Sequence, residues 1–268
     1  MATKQIPNRC IWCLEKPPSA TFNSESHVLP ECVGNERQQV LPQGIVCDDC
    51  NNHFGTKVEV TLIDDPIFEA RVGILQLRDR KGEFAYEHSP SGVHRIAHME
   101  AEVSANRVTL ITQYEITGQP GKPHETRTIS KSKDYDSRAL ASLSRAVHKI
   151  AFESLAWIIF VKGRYEDIDV FDDSFDAIRR WSRCGEPQSS VRPVLRLQRF
   201  EVVKFQWEFR LWGFDNWLGG ELDLFGDWYG VSLTSLPDKA GEDLKDGVRR
   251  TKFDHPVWYV GEKFLPIT

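Results

Sequence analysis

The 268-residue sequence predicts an α+β fold, in which a small cysteine-bearing N-terminal module precedes a larger mixed domain with a long central helix and β-hairpins. Two Cys-x2-Cys pairs within the first fifty residues indicate the module. Apolar residues at helical spacing over 137–162 indicate the central helix, and β-rich runs broken by turn residues lie on both sides of it. We place the domain boundary after residue 65, where Asp65-Pro66 marks the end of a helix, which gives domains 1–65 and 66–268.

The charge balance excludes one class of nucleic-acid-binding protein. Lys and Arg total 34 against 39 Asp and Glu, a net charge of −5, whereas proteins that coat nucleic acid are strongly basic. Hydrophobic residues make up 40% of the chain, enough for a substantial core, and the longest apolar run, 155–161, is too short to cross a membrane. Because residues 1–9 also lack the apolar segment of a secretion signal, we expect a cytoplasmic protein.

Four of the six cysteines form the pairs Cys10-x2-Cys13 and Cys47-x2-Cys50. Two such turns can bring four thiolates together in the tetrahedral arrangement of a zinc site. Four protein thiolates leave no open coordination position, so we expect a structural zinc ion. Two coincidental pairs are the alternative, whereas a thioredoxin-like redox motif would need a βαβ pattern that the sequence does not show. We expect the remaining Cys32 and Cys184 to be small buried residues.

The residues between and after the cysteine pairs carry a family motif. Residues 24–34 are SESHVLPECVG and residues 51–59 are NNHFGTKVE. In order, the pattern C-x2-C, S-H-V-L-P, G-N and C-x2-C-N-N-H-F-G resembles the HNH endonuclease family, in the branch with an EHVIP and a CN-x-x-FG motif. The resemblance covers roughly residues 10–62, under a quarter of the chain.

The resemblance implies a ββα-metal module, stapled by zinc, that hydrolyses phosphodiester bonds with the help of a second, catalytic cation. It makes His27 the general base that deprotonates the attacking water. It makes Asn51 a ligand of Mg²⁺ or a similar divalent ion, since hard cations accept amide oxygens. His53 lies close to Asn51 in the sequence and is a third candidate catalytic residue. Glu59 is a weaker candidate, because eight helical residues at about 100° each bring it only roughly back to the same face.

Two positions depart from the family pattern. Ser26 stands where the family has an Asp or Glu that binds the catalytic ion, so we expect Ser26 to be a weak ligand or another carboxylate to be recruited. Strand alternation would point the neighbouring Glu25 to the opposite face. Gly44 stands where a loop asparagine is usual, unless Asn35 takes that role. Without the flanking cysteine pairs, His27 alone would indicate only an ordinary histidine at the end of a strand.

Outside the module, the clearest element is the helix over 137–162, in which we expect His148 to be structural. A second short helix is predicted near 174–183, and strands are predicted within 68–130, 194–214 and 221–233. The aromatic residues of the last two segments could stack nucleic-acid bases, but core packing is their more ordinary use. We expect four further histidines to be surface or half-buried residues rather than metal ligands: His88, His94, His98 and His124.

The basic charge is concentrated in one part of the chain. Of the segments 1–62, 63–130, 131–200 and 201–268, only 131–200 is net basic, with 13 basic and 10 acidic side chains. If the chain grips DNA alone, we expect Arg138, Arg145 and Lys149 on the central helix to contact phosphates.

The sequence therefore predicts a metal-dependent HNH endonuclease that hydrolyses DNA and leaves 5′-phosphate and 3′-hydroxyl ends. Zn²⁺ is the predicted structural ion and Mg²⁺ or another divalent cation the predicted catalytic one. A catalytically degenerate HNH module that serves as a binding or scaffold subunit is one alternative. Another is an effector that is active only with a nucleic-acid-binding partner, as in bacterial antiviral defence systems that pair HNH effectors with short Argonautes.

Overall fold

The structure is a computed structural model. It describes residues 6–30, 39–65, 68, 93–104, 107–117, 125–134, 137–165, 167–186, 194–196, 207–214, 217–224, 227–234 and 257–259.

The N-terminal module is a short hairpin followed by a helix. The hairpin pairs its two strands antiparallel, with Ser26 opposite Leu41 and His27 opposite Val40. The helix begins directly after Cys47, and its first turn carries two aspartates, which the positive end of a helix stabilises. The elements of the module are β1 (Ser26–His27), β2 (Val40–Leu41), α1 (Asp48–His53), a π-helical turn (Phe54–Val58) and α2 (Val60–Ile63).

The rest of the described chain combines two antiparallel sheets with two helices. The elements are β3 (Val93–Ser104), β4 (Arg107–Thr117), β5 (Glu125–Asp134), α3 (Ser137–Phe160), a 3₁₀ turn (Asp173–Phe175), α4 (Asp176–Cys184), β6 (Val194–Arg196), β7 (Trp207–Phe214), β8 (Trp217–Leu224), β9 (Asp227–Ser232) and β10 (Val257–Tyr259). One sheet has the strand order β3-β4-β5 and the other the strand order β10-β6-β9-β8-β7. The mixed content is that of an α+β protein, as the sequence predicts.

Several sequence predictions fall outside the described residues. These are the stretch 69–92 of the segment 68–130 in which strands are predicted, and the positions Cys32, Asn35, His88 and His124. Among the helices of the described ranges, none is long and apolar enough to cross a membrane.

One hydrophobic core joins the module to the helices that follow it. Trp12 packs against Phe54 of the module in a tilted arrangement, with ring centroids 4.5 Å apart, and contacts Phe152 of α3 edge-on at 5.1 Å. Phe152 in turn contacts Phe175 at 5.2 Å. Each such ring, when fully buried, contributes roughly 1.5–3 kcal/mol through its apolar area. The first cysteine pair, the module helix and α3 are therefore packed as one body.

Helix α3 is the central element of this core. Every residue from 146 to 156 is buried, so no side of the helix faces solvent along this stretch. The module contacts α3 through β2, the π-helical turn and α2, while α4 and strands β7–β9 contact it as well. A helix that is buried all round needs internal partners for any charged residue in its middle.

His148 lies in this buried stretch and is structural, as expected. Its Nδ1–H donates to the carbonyl of Ser144, one turn earlier, at 2.8 Å. The Ser144 hydroxyl accepts the indole N–H of Trp181 at 3.0 Å, which ties α3 to α4. Nε2 of His148 is buried and has no hydrogen-bond partner among the described residues. Burial therefore lowers the pKa of His148 to about 4.

We expect His148 to make folding stability depend on pH. The folded-state pKa of His148 lies below the unfolded value. Between about pH 6.5 and pH 4, the unfolded chain therefore binds a proton at His148 that the folded chain does not bind. Between pH 7.5 and 5.0 this should remove about 2 kcal/mol from the free energy of unfolding. Denaturant unfolding of the wild type and of His148→Gln at both pH values measures the effect. The wild type should lose more stability than the variant on acidification, and equal losses would contradict this origin.

Candidate active site

The four paired cysteines converge on one point. The sulfur atoms of Cys10, Cys13, Cys47 and Cys50 all lie within 4.8 Å of one another, and the Sγ atoms of Cys13 and Cys47 are 3.7 Å apart. A tetrahedral zinc ion with Zn–S bonds of about 2.3 Å requires S···S distances of about 3.8 Å. The backbone N–H groups of Trp12 and Cys47 each donate to Cys10 Sγ at 3.4 Å, as a thiolate ligand favours. The cluster therefore fits a structural zinc ion.

The electrostatics of the cluster also favour a bound cation. Hydrogen bonds to the sulfur atoms of Cys13, Cys47 and Cys50, together with burial, raise the pKa of Cys10 well above its ordinary value. Hydrogen bonds with Cys10 instead lower the pKa of Cys13 and of Cys47, so the four thiols become thiolates together only with a positive charge between them. Burial would lower the pKa of Arg183, but the nearby thiolates outweigh burial and raise it. Arg183, at the end of α4, thus places a positive charge near the cysteine cluster in addition to that of the expected zinc ion.

The hairpin presents two adjacent side chains in different environments. His27 is half-buried, whereas Ser26 is only 3% exposed. The Ser26 hydroxyl points into the protein and donates to Glu153 Oε2 at 3.4 Å. This direction does not favour the expected role of Ser26 as a ligand of the catalytic ion, because its hydroxyl faces the buried Glu153 carboxylate.

Asn51 connects the module helix to the start of the hairpin. Its side-chain N–H₂ donates to the carbonyl of Glu25 at 2.8 Å and to Ser24 Oγ at 3.3 Å. This orients the amide, and Oδ1 accepts no hydrogen bond from the described residues. An amide oxygen held in this way is a suitable ligand for a hard cation. The structure thus brings Asn51 to the residues that immediately precede the strand of His27.

Glu25 lies outside the strand, contrary to expectation. Strand β1 begins at Ser26, so the alternation of a strand does not determine the direction of the Glu25 side chain. That side chain is exposed, next to the carbonyl that Asn51 binds. Glu25 is therefore an acidic group beside the candidate site.

Asp48 anchors the loop that leads into the hairpin. Its carboxylate accepts the Thr21 hydroxyl at 2.5 Å, the backbone N–H and side-chain N–H₂ of Asn23 at 2.9 and 3.1 Å, and both the N–H and the hydroxyl of Ser24 at 2.7 Å. These hydrogen bonds, of which the Thr21 bond is the strongest, hold the pKa of Asp48 well below its usual range. The loop and the helix start are thus fixed to each other through one side chain.

A buried ion cluster lies beneath the hairpin. Lys149 Nζ contacts Glu59 Oε1 at 2.5 Å and Glu153 Oε2 at 2.9 Å, and it donates to the carbonyl of His27 at 2.8 Å. Glu153 also accepts the indole N–H of Trp12 at 2.9 Å. Lys149 and Glu153 are 1% and 0% exposed, and Glu59 is 13% exposed. The cluster therefore joins the first cysteine pair, the hairpin and the module helix to α3.

This cluster corrects the prediction for Lys149. A side chain that is 1% exposed and bound to two carboxylates cannot contact the phosphates of DNA. Burial alone would lower the pKa of Lys149, but the carboxylates of Glu153 and Glu59 outweigh burial and raise it. The same burial raises the pKa of Glu153, which the ammonium opposes.

The π-helical turn explains how Glu59 reaches Lys149. The N–H of Glu59 bonds to the carbonyl of Phe54, five residues back, at 2.9 Å. A turn of this kind rotates the chain less per residue than an α-helix does. Glu59 therefore lies closer to the face of Asn51 than a regular helix would place it, and both residues approach β1 and its flanks.

His53 and Arg145 point away from the hairpin. His53 Nε2 lies 2.8 Å from the carbonyl of Arg183, at the end of α4. The Arg145 guanidinium donates to that carbonyl at 2.9 Å and to the carbonyl of Ser182 at 3.1 Å. Both side chains thus satisfy the last carbonyl groups of a helix, a common role for cations at that position. Of the three residues predicted to contact phosphates, only Arg138 is exposed.

Gly44 has a structural reason to replace the family asparagine. Its φ of +97° is unfavourable for residues with a side chain, and a Cβ atom there would collide with Asn8 and Ile6. Its carbonyl accepts the N–H of Arg9 at 2.9 Å, which joins the loop to the chain before the first cysteine pair.

Sequence reasoning did not assign Glu153, Trp12 or Arg179 to the site. Arg179 of α4 is buried and donates to the carbonyl of Ile11 between the first two cysteines, at 2.8 Å. The sequence does contain a signal for a Lys149–Glu153 ion pair. The two are the only charged residues between 146 and 156, and they stand four apart in a helix. The Trp12 and Arg179 contacts join residues far apart in the chain and left no local pattern.

Residues 10–66 match the family model described as HNH endonuclease, about a fifth of the chain. The match confirms the resemblance seen in the sequence, and the four clustered cysteines fit a zinc-binding HNH module. No curated protein and no solved structure matches the chain.

We expect the protein to bind one zinc ion through the four clustered cysteines. Cys50→Ser should lose the ion and lower the unfolding temperature, because a tetrahedral site needs its fourth thiolate. Cys184→Ser is the matched control, since Cys184 is exposed and lies outside the cluster, contrary to its expected burial. Metal analysis by mass spectrometry measures both proteins. Equal zinc content in the two variants would contradict the assignment.

We expect Asp48→Asn to destabilise the protein by about 1–3 kcal/mol, because several hydrogen bonds to a carboxylate are lost or weakened. Asp49→Asn is the control. Asp49 is exposed in the same helical turn and accepts no hydrogen bond from the described residues, so its removal should change stability by less than about 0.5 kcal/mol. Denaturant unfolding at neutral pH measures both. Equal effects would assign the role of Asp48 to helix-end charge alone.

Proposed function

We propose that this protein is a metal-dependent endonuclease that hydrolyses phosphodiester bonds of DNA through its N-terminal HNH module. The observation that carries the proposal is the contact between Asn51 and the carbonyl of Glu25 at 2.8 Å. It attaches the candidate metal ligand to the residue that precedes the strand of the candidate base, His27, within a segment that matches the HNH endonuclease family. The zinc cluster supports this geometry without taking part in the chemistry.

The chemistry follows from the residues. His27 accepts a proton from water as the water attacks phosphorus, which makes it the general base. A divalent cation bound beside Asn51 Oδ1 would neutralise the negative charge that develops on the leaving oxygen. The bond between phosphorus and the 3′ oxygen breaks, and the leaving oxygen takes a proton from solvent. The products then carry a 3′-hydroxyl and a 5′-phosphate.

We assign the missing acidic ligand to Glu25 rather than to Ser26. The Ser26 hydroxyl is buried against Glu153, whereas Glu25 is exposed and its backbone carbonyl accepts the Asn51 amide. Carboxylate and amide oxygens are the ligands that Mg²⁺ prefers in proteins. His53, bound to the carbonyl of Arg183, supports the site by fixing the module helix against α4.

A plasmid-nicking assay tests the proposal. The zinc-loaded wild type should convert supercoiled plasmid to nicked or linear forms when Mg²⁺ or Mn²⁺ is added. The negative arm withholds the divalent ion, because a chelator would also remove zinc. His27→Ala should lower the rate at least about 100-fold, the usual contribution of a general base.

Two further variants test the metal ligands. Asn51→Ala and Glu25→Gln should both raise the Mg²⁺ concentration needed for half-maximal rate. Asn52→Ala is the control for both, because Asn52 is exposed on the same helix and its side chain has no hydrogen-bond partner in the described part of the chain. Its backbone carbonyl accepts the Thr56 hydroxyl. Equal nicking by the wild type and His27→Ala would overturn the proposed base. A wild type that binds no divalent ion beyond zinc would instead support a degenerate scaffold.

The use of the basic side chains favours a second proposal, that a partner delivers the nucleic acid. Lys149, Arg145 and Arg179 are committed to internal contacts, so the net basic segment offers fewer cations to phosphates than its composition indicates. An acidic effector of this kind would suit a complex with a nucleic-acid-binding protein such as a short Argonaute, in an antiviral defence system.

DNA-binding titrations at two salt concentrations test the need for a partner. The protein alone should bind weakly and with a shallow dependence on salt, because few phosphate contacts release few counterions. Copurified complexes should bind more tightly and nick faster. Tight, strongly salt-dependent binding by the protein alone would overturn this second proposal.

A further inference from the structure

We infer that Lys149 of helix α3 is a positioning residue for His27, holding the strand of the proposed base through its backbone carbonyl. The inference rests on the proposed function and deepens it, because it assigns part of the control of the active site to a helix outside the HNH module. Lys149 does not touch the reacting atoms and acts only through His27.

The hydrogen bonds of Lys149 leave it little freedom. An ammonium group has three protons, and here three partners surround it: the carbonyl of His27 at 2.8 Å, Glu153 at 2.9 Å and Glu59 at 2.5 Å. The carbonyl of Val28, at 3.4 Å, is a more distant fourth. These three partners belong to different parts of the structure, so a shift of the strand would break a bond to an ammonium group that is only 1% exposed.

The hairpin alone is too short to fix the position of His27. Strands β1 and β2 contain two residues each, extended by one bond from the Val28 N–H to the Gln39 carbonyl at 2.9 Å. Two-stranded hairpins are at best marginally stable in water, even when they are longer. The bond from Lys149 is therefore a main external restraint on the carbonyl of His27.

Stability alone does not account for a charged residue at this position. A buried ion pair must overcome the desolvation of both ions, and apolar residues of similar size often serve stability equally well. An apolar side chain, however, could not donate to the carbonyl of His27 or bind Glu59 and Glu153 simultaneously. The charge thus gives the hairpin a defined geometry, which matters because small displacements of catalytic groups can cost about a hundredfold in rate.

Two conservative variants and one control test the inference. Lys149→Arg keeps the charge but moves the donor atoms, and Glu59→Gln keeps an acceptor while it removes one charge. Arg145→Gln is the matched control, because Arg145 lies one turn earlier on α3 and bonds to the carbonyls of Ser182 and Arg183 rather than to the hairpin.

The readouts separate positioning from a general loss of structure. Lys149→Arg should lower kcat about 10- to 100-fold with KM and zinc content unchanged, and Glu59→Gln should have a smaller effect in the same direction. In protein labelled with ¹⁵N-histidine, the ring signals of His27, identified by their loss in His27→Ala, should shift in both variants and stay in place in Arg145→Gln.

The histidine signals keep this inference distinguishable from the proposed function. If the wild type has no nuclease activity, the proposed function fails, but a shift of the His27 signals still supports the positioning contact. Unchanged signals and unchanged kcat in Lys149→Arg would overturn the inference. If Lys149→Arg does not fold, the same criteria apply to Glu59→Gln.

Discussion

A buried ammonium group on α3 is the contact on which the candidate site depends. Lys149 Nζ binds the hairpin through His27, the module helix through Glu59 and, by way of Glu153, the Trp12 indole beside the first cysteine pair. Removing one member of such a cluster leaves an uncompensated buried charge, at a cost of roughly 3–5 kcal/mol. The cluster is thus a constraint that three separate parts of the module share.

The zinc cluster and α3 perform complementary tasks. A segment of fewer than sixty residues buries little apolar surface and is marginally stable alone, so a metal ion or further packing adds substantially to its stability. The four sulfur atoms join the chain before the hairpin to the start of α1. Helix α3 supplies the apolar surface, with Phe152 against Trp12, and the charged contacts that the zinc ion cannot provide.

Local patterns predicted the parts of the site that depend on local chain geometry. Cysteine spacing predicted the sulfur cluster, and the order of motifs predicted a hairpin with His27 followed by a helix with Asn51. Ser26 and Lys149 were harder, because whether a polar side chain faces solvent or the core depends on what packs against it. Arg145 could not be recognised from the sequence either, since its partners are the carbonyls at the end of another helix.

The burial of α3 on all sides over residues 146–156 has a consequence for engineering. Cutting the chain after residue 65 would leave Trp12 without Phe152 and Glu59 without its counter-ion. The HNH segment of this protein therefore cannot be transferred by itself to another targeting domain without losing these contacts. A chimaera would have to carry α3 with it, and the linker would have to join at the far end of that helix.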